Sequence, residues 1–214
     1  MNRTGILICS VVAAAAWVGI AGCESSKSNE PAKTAAQAKP KEAAQYTGRE
    51  AYERTTGLAL KWAQDSQPVR LESILTSEAT GQGGKATIWR AFYASPSRKS
   101  LKSFTCSGSR LPDSPAYGVT TDPGENPYSP ELASMAFSPF LFKVDSDKAY
   151  NLAQQHGGQA ILAKDSKQPV TYVLLFDRKK NVPVWYVVYG KGDKDRKGVG
   201  VINATTGDFI SAGK

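Results

Sequence analysis

The chain is poor in the residues that most often carry chemistry. One histidine, three cysteines and two methionines occur among its 214 residues. A structural zinc site draws four ligands, mostly Cys and His, so no His/Cys metal cluster is expected. His156 precedes Gly157-Gly158 with no nucleophile and no orienting acid close in sequence, and general acid–base work needs both. It is read as structural or surface, and no catalytic residue, metal or cofactor is assigned. Asp193-x-Asp195 lacks the terminal glutamate of a calcium loop and sits among lysines and arginine. Gly190-x-Gly192 has no third glycine at the nucleotide-binding offset and does not open a helix. Acidic surplus is also missing: 27 basic residues against 19 acidic give a net charge of +8. The basic residues are scattered rather than gathered in an aromatic-laced stripe, which argues against nucleic acid as a partner and for a diffusely basic surface. Finally, the longest apolar run, Ile6 to Ile20, falls short of the about 20 residues that span a bilayer.

What that run does resemble is a secretory signal peptide: Arg3, an apolar stretch, then small residues. It closes on Ile20-Ala21-Gly22-Cys23, which resembles the lipobox of bacterial lipoproteins. The resemblance implies cleavage after residue 22, a diacylglycerol thioether on Cys23 and acylation of the new N-terminus. Several acyl chains matter because one alone binds a membrane only reversibly. Glu24 stands where an aspartate would resemble an inner-membrane retention signal, so the expected location is the cell envelope, the outer membrane ahead of the inner. With Cys9 removed and Cys23 lipidated, Cys106 is a lone thiol, and its setting in Phe104-Thr105-Cys106 favours burial.

Residues 23–45 form the expected tether. From Glu24 to Gln45 there is no aromatic or branched aliphatic residue, so apolar burial cannot offset ordering entropy and disorder is expected. The body follows, and its fold class reads as α+β: two repeated units, each one helix packed on a three- to four-stranded antiparallel sheet. In the first unit (46–106), Thr47-Gly48-Arg49-Glu50 fits a capping box. Ala51, Thr55, Leu58, Ala59 and Trp62 then recur at helical spacing. Strand-like runs follow at Val69–Thr76, Ala86–Ala94 and Lys99–Cys106. In the second unit (144–214) a helix over Ser146–His156 is expected to stop at Gly157-Gly158, before strands at 170–176, 184–189 and 199–203. Ala51-Tyr52 and Ala149-Tyr150, and Trp89/Tyr93 and Trp185/Tyr189, recur in the same order at nearly one spacing, which reads as duplication. Between the units lies a proline-rich connector (107–143) with a short helix from Ser129-Pro130-Glu131. Its apolar run 135–144, including Phe137, Phe140 and Phe142, is expected to cover the junction of the units.

Pro183-Val184-Trp185-Tyr186-Val187-Val188-Tyr189, a charged hairpin, Val199-Gly200-Val201-Ile202-Asn203 and Thr206-Gly207-Asp208-Phe209 together resemble the closing strands of a PepSY-type domain. The first unit matches less well, since Cys106-Ser107-Gly108 replaces the T-G turn. The resemblance implies a non-enzymatic extracytoplasmic module that binds or inhibits peptidases. The leading expectation is therefore a membrane-anchored, non-catalytic binding module for peptide or protein. The alternatives are a structural envelope protein without a specific ligand, or a hydrolase that would use His156. Side chains four apart on a strand share one face. Trp89 with Tyr93, Trp185 with Tyr189, and Phe140 are accordingly the candidate binding surface.

Overall fold

The computed structural model describes residues 42–191 and 195–213. The signal segment, the cleavage motif Ile20, Ala21 and Gly22, the lipidation residue Cys23 and the tether up to residue 41 lie outside the described residues. The last tether residues do not: the Ala44 amide donates to the Gly108 carbonyl at 2.9 Å, and Tyr46 pairs with Ala86.

Helix α1 (Gly48–Trp62) begins where its capping box requires. The Thr47 hydroxyl accepts the Glu50 amide at 3.3 Å, and the Glu50 carboxylate accepts the Thr47 amide at 2.8 Å. Both close orphan donors of the first turn. The chain then lays down β1 (Gln67–Ile74), β2 (Ile88–Ser95), β3 (Ser100–Ser107), β4 (Gly118–Thr121) and the two-residue β5 (Asn126–Pro127). After α2 (Pro130–Ala133) come α3 (Ser146–Ala153) and α4 (Gln159–Lys164). The closing strands are β6 (Val170–Asp177), β7 (Val182–Tyr189), β8 (Gly198–Asn203) and β9 (Phe209–Gly213).

All the strands belong to one antiparallel sheet in the order β4-β3-β2-β1-β6-β7-β8-β9, with β5 pairing β3. This corrects the expectation of a separate three- to four-stranded sheet in each unit. Leu71 pairs Leu174 and Glu72 pairs Val173, so β1 and β6 join the two halves. Each half alone would leave an apolar strand with an unpaired edge; pairing the two edges satisfies both.

Helices α1, α3 and α4 lie on one face. Trp89, Tyr93, Phe104, Tyr172, Trp185, Tyr189 and Ile202 point from the sheet into one core with Ala51 and Ala59 of α1 and Ala149 and Ala153 of α3. The N-termini of α1 and α3 meet. The Ser146 hydroxyl accepts the Gly48 amide at 2.8 Å and donates to the Gly84 carbonyl at 2.6 Å, while Asp145 accepts the Arg49 amide at 2.8 Å. One pair of side chains therefore caps both helices.

The second helix breaks as expected, and the connector holds more regular structure than expected. The break falls where the glycines stand: His156 and Gly157 leave helical φ/ψ, Gly157 with φ 109°, and a separate short helix, α4, begins at Gln159. A Cβ at Gly158 would overlap the Tyr189 hydroxyl, so the break is pressed against β7. The connector is less irregular than its prolines imply, since it contributes β4, β5 and α2 to the body.

Candidate functional site

The four strand aromatics proposed as a surface are core residues. Trp89, Tyr93, Trp185 and Tyr189 are buried under the helices. Each indole N–H is satisfied by a backbone carbonyl at 2.8 Å, Tyr46 O for Trp89 and Val144 O for Trp185. The phenols are held as well: Tyr93 lies 3.0 Å from the Thr55 hydroxyl, and Gln154 donates to Tyr189 at 2.6 Å. Burial pushes both hydroxyls above the ordinary tyrosine range, so neither offers a phenolate. Phe140 alone of the five is exposed, at 86%, beside the buried Phe142. His156 stacks flat on Phe209, with centroids 3.9 Å apart. Among the described residues no group of three or more His, Cys, Asp and Glu is placed to hold a metal ion, and no helix is long and apolar enough to cross a membrane.

The sheet has a second face, and there the two halves differ. Alternation sends Phe92, Ala94 and Leu101 of the first half away from the helices, the bulge between Pro68 and Arg70 turns Val69 out beside them, and the connector covers part of this patch. Tyr128 and Ala136 pack on Val69, Ala94 and Leu101, and the Phe137 amide donates to Pro68 O at 3.0 Å. The connector therefore covers part of the outer face of the first half, and its Phe142 joins the core on the helix side.

In the second half the same alternation turns Val173 and Leu175 of β6, Tyr186 and Val188 of β7, and Val199 and Val201 of β8 outward. The register aligns Val173, Tyr186, Val201 and Ser211 in one row across four strands. A second row runs through Thr171, Val188, Val199 and Gly213. All of these but Thr171 floor a trough of about 390 Å³, whose lining consists of strand residues and Arg196. No helix or connector residue lines it. Arg70, 2.7 Å from Glu72, stands at the seam with Leu175. Both residues also line a neighbouring apolar pocket of about 390 Å³ that runs under Met135 toward Phe92 and Leu101. The charged residues lining the trough itself are Arg70 and Arg196.

This site was missed from sequence because Val184–Tyr189 shows apolar residues on both alternating faces. That pattern marks a strand buried on both sides or one with an uncovered apolar face, and the tryptophan and tyrosine drew attention to the wrong one. The useful signal was Tyr186 with Val188, offset by one position from the core set.

The arrangement is that of an α+β protein with α1, α3 and α4 on one face of a long antiparallel sheet, and the connector and an open apolar trough on the other. Among solved structures, a crystal structure described as a "putative lipoprotein" from Clostridium difficile 630 is similar, with a TM-score of 0.51 and 9% sequence identity. The likeness covers 76% of this chain and 91% of that one, and at this identity it speaks for the fold alone. No family model matches the chain, and no curated protein matches it.

Proposed function

We propose that the chain is a lipid-anchored protein of the cell envelope whose body is a non-catalytic module that binds peptide or protein on the open sheet face. The observation that carries this reading is the asymmetry of the outer face. Connector residues pack over part of the first half, while no helix or connector residue lines the trough of the second half, where Val173, Tyr186, Val188, Val199 and Val201 are presented. A continuous apolar patch kept in water marks an interaction surface.

The lipobox at 20–23 supports the anchor, the solved neighbour carries the word lipoprotein in its description, and Glu24 favours the outer membrane. Duplication of one α-β-β-β unit is supported by the paired indole hydrogen bonds and by helices that each precede a strand at the β1–β6 seam. The β8–β9 turn at Thr206-Gly207, with φ 87° at the glycine, fits the PepSY-type closing turn. Peptidase binding or inhibition stays with that resemblance.

A photoreactive side chain placed at Tyr186 in the full chain, in the producing bacterium, tests the reading. A discrete adduct at Tyr186, absent when the label sits at Lys61 on the exposed side of α1 and lost in Val201→Lys, is expected. Equal adduct patterns at both positions would contradict it. Lipidation is tested separately by Cys23→Ser, which should release the protein from membranes.

A further inference from the structure

Where the connector crosses the sheet it touches down twice and arches in between. Tyr128 and Ala136 pack against the cluster of Val69, Ala94 and Leu101, while Met135 stands half-buried over a pocket of about 390 Å³. Val69, Phe92, Leu101 and Leu175 supply its apolar floor. They belong to β1, β2, β3 and β6, which are neighbours in the order β3-β2-β1-β6. Adjacent strands lie about 4.8 Å apart, so the floor runs roughly 14 Å across the strands.

Shape narrows the occupant. A volume of about 390 Å³ over that length leaves an average section of roughly 28 Å², whereas an α-helix about 10 Å across fills roughly 80 Å². A helix therefore does not fit. An extended peptide is narrow enough but brings an N–H and a C=O at every residue. The strands beneath cannot receive them, because β1, β2 and β6 are each paired along both edges, and burying unpartnered amides is costly.

Charge narrows it further. The charged residues on the lining are Arg70 and Glu72, which close on each other at 2.7 Å, and the remaining polar residue is Asn126. The walls thus carry no net charge and favour none in the occupant. A polymethylene chain meets these conditions, being narrow, flexible and free of polar groups. Met135 gives it a roof that adapts to its path. One narrow pocket holds one chain, so a two-chain lipid would leave its second chain in water.

We infer that the pocket under Met135 takes the alkyl chain of a single-chain amphiphile, laid across β3, β2, β1 and β6 with its polar head left in water. This pocket is separate from the peptide-binding reading of the trough, and either stands without the other.

The test uses the full chain with Cys23→Ser, which carries no acyl chain of its own under the lipobox reading. Met135 is one of two methionines, the other being Met1, so methyl labelling reports on the pocket roof. Hexanol, octanol and decanol are titrated, with adamantanol as a compact control of equal carbon number to decanol. Decanol should move the Met135 signal saturably, leave Met1 unmoved and bind at least about tenfold more tightly than adamantanol. Affinity should rise about fourfold per added methylene. Leu175→Lys, at a half-buried position, should weaken decanol at least about tenfold, and Leu60→Lys on exposed α1 should not. Met135→Lys, which alters the roof and no strand, should abolish the rise in melting temperature that decanol gives the unsubstituted chain. Persistence of that rise overturns the inference. Equal binding of adamantanol overturns the chain-shaped assignment. An affinity flat with chain length, or an unmoved Met135 signal in the folded protein, overturns alkyl binding. Movement of Met135 by phosphatidylcholine vesicles but not by decanol overturns the inference in favour of a two-chain lipid.

Discussion

Trp89 and Trp185 meet edge to face in the centre of the protein, with ring centroids 6.2 Å apart and planes at 72°. Each rises from the middle of its half and donates its indole N–H to the segment that leads into a helix, Tyr46 for α1 and Val144 for α3. One contact therefore ties both helix entries to both halves of the sheet. Truncating either ring to alanine should cost about 3–5 kcal/mol, the range for large buried aromatics. Phenylalanine keeps most of the packing but leaves a carbonyl short of a donor, for about 1–3 kcal/mol. Tyr46 O retains the Ala86 amide at 3.0 Å, so Trp89→Phe should fall at the lower end. Urea unfolding of the variants checks this, and a loss confined to one half of the protein would contradict the shared role.

Gly84 and Gly57 should respond in opposite directions to alanine. Gly84 takes φ 80°, and a Cβ there would overlap the backbone of Asp147 where α3 starts. Gly84→Ala is expected to destabilise by about 2–4 kcal/mol through backbone strain and displacement of α3. Gly57 lies inside α1 with nothing within 4 Å of the position a methyl group would take, so Gly57→Ala should stabilise by about 0.5–1 kcal/mol. Thermal melting of both variants settles the pair.

Glu125 holds the connector against the end of α1. Its carboxyl is held down to about 2 by hydrogen bonds from the Ser100 hydroxyl, the Trp62 indole and Arg98. The indole donates at 2.8 Å, and the guanidinium lies 3.0 Å away. An acid held below its unfolded value adds stability above that value, near 4.5, and loses it as pH falls through about 2. The Trp62 indole proton resonance should therefore move toward its free position across that window. In Glu125→Gln the movement should be absent, and an unchanged titration would show that another group holds Trp62.

Cys106 is buried, as its strand context implied, and desolvation pushes its thiol up to about 11. The thiolate is the reactive form, so the native protein should label slowly with a maleimide at neutral pH. Labelling should accelerate in urea in step with loss of tryptophan fluorescence. Fast labelling without unfolding would mean that β3 opens locally.

Much of the secondary structure was legible because local rules agreed with the fold. The Thr47 capping box set the start of α1, and β-branched and aromatic runs set six of the long strands to within a few residues. The join between halves was not legible. Nothing in 67–74 or 170–177 announces that these two runs pair, because strand pairing at long range is decided by which edges remain open. Gly157-Gly158 was legible as a helix break, but not that a further helix, α4, follows it or that Gly158 presses on Tyr189. The trough went unseen because sequence shows that residues alternate, not which side the helices will cover.

Occupation of the trough in the envelope is the central claim, and it can be measured directly. Among the described residues Cys106 is buried, so Val201→Cys introduces an accessible thiol in the floor of the trough, and Leu60→Cys introduces one on exposed helix surface. Maleimide labelling of each is measured in isolated envelopes and on the purified full chain. Occupation predicts that the cysteine at 201 labels about tenfold more slowly in envelopes than in the purified protein, while the cysteine at 60 labels equally in both. Equal rates at 201 in the two preparations would contradict it.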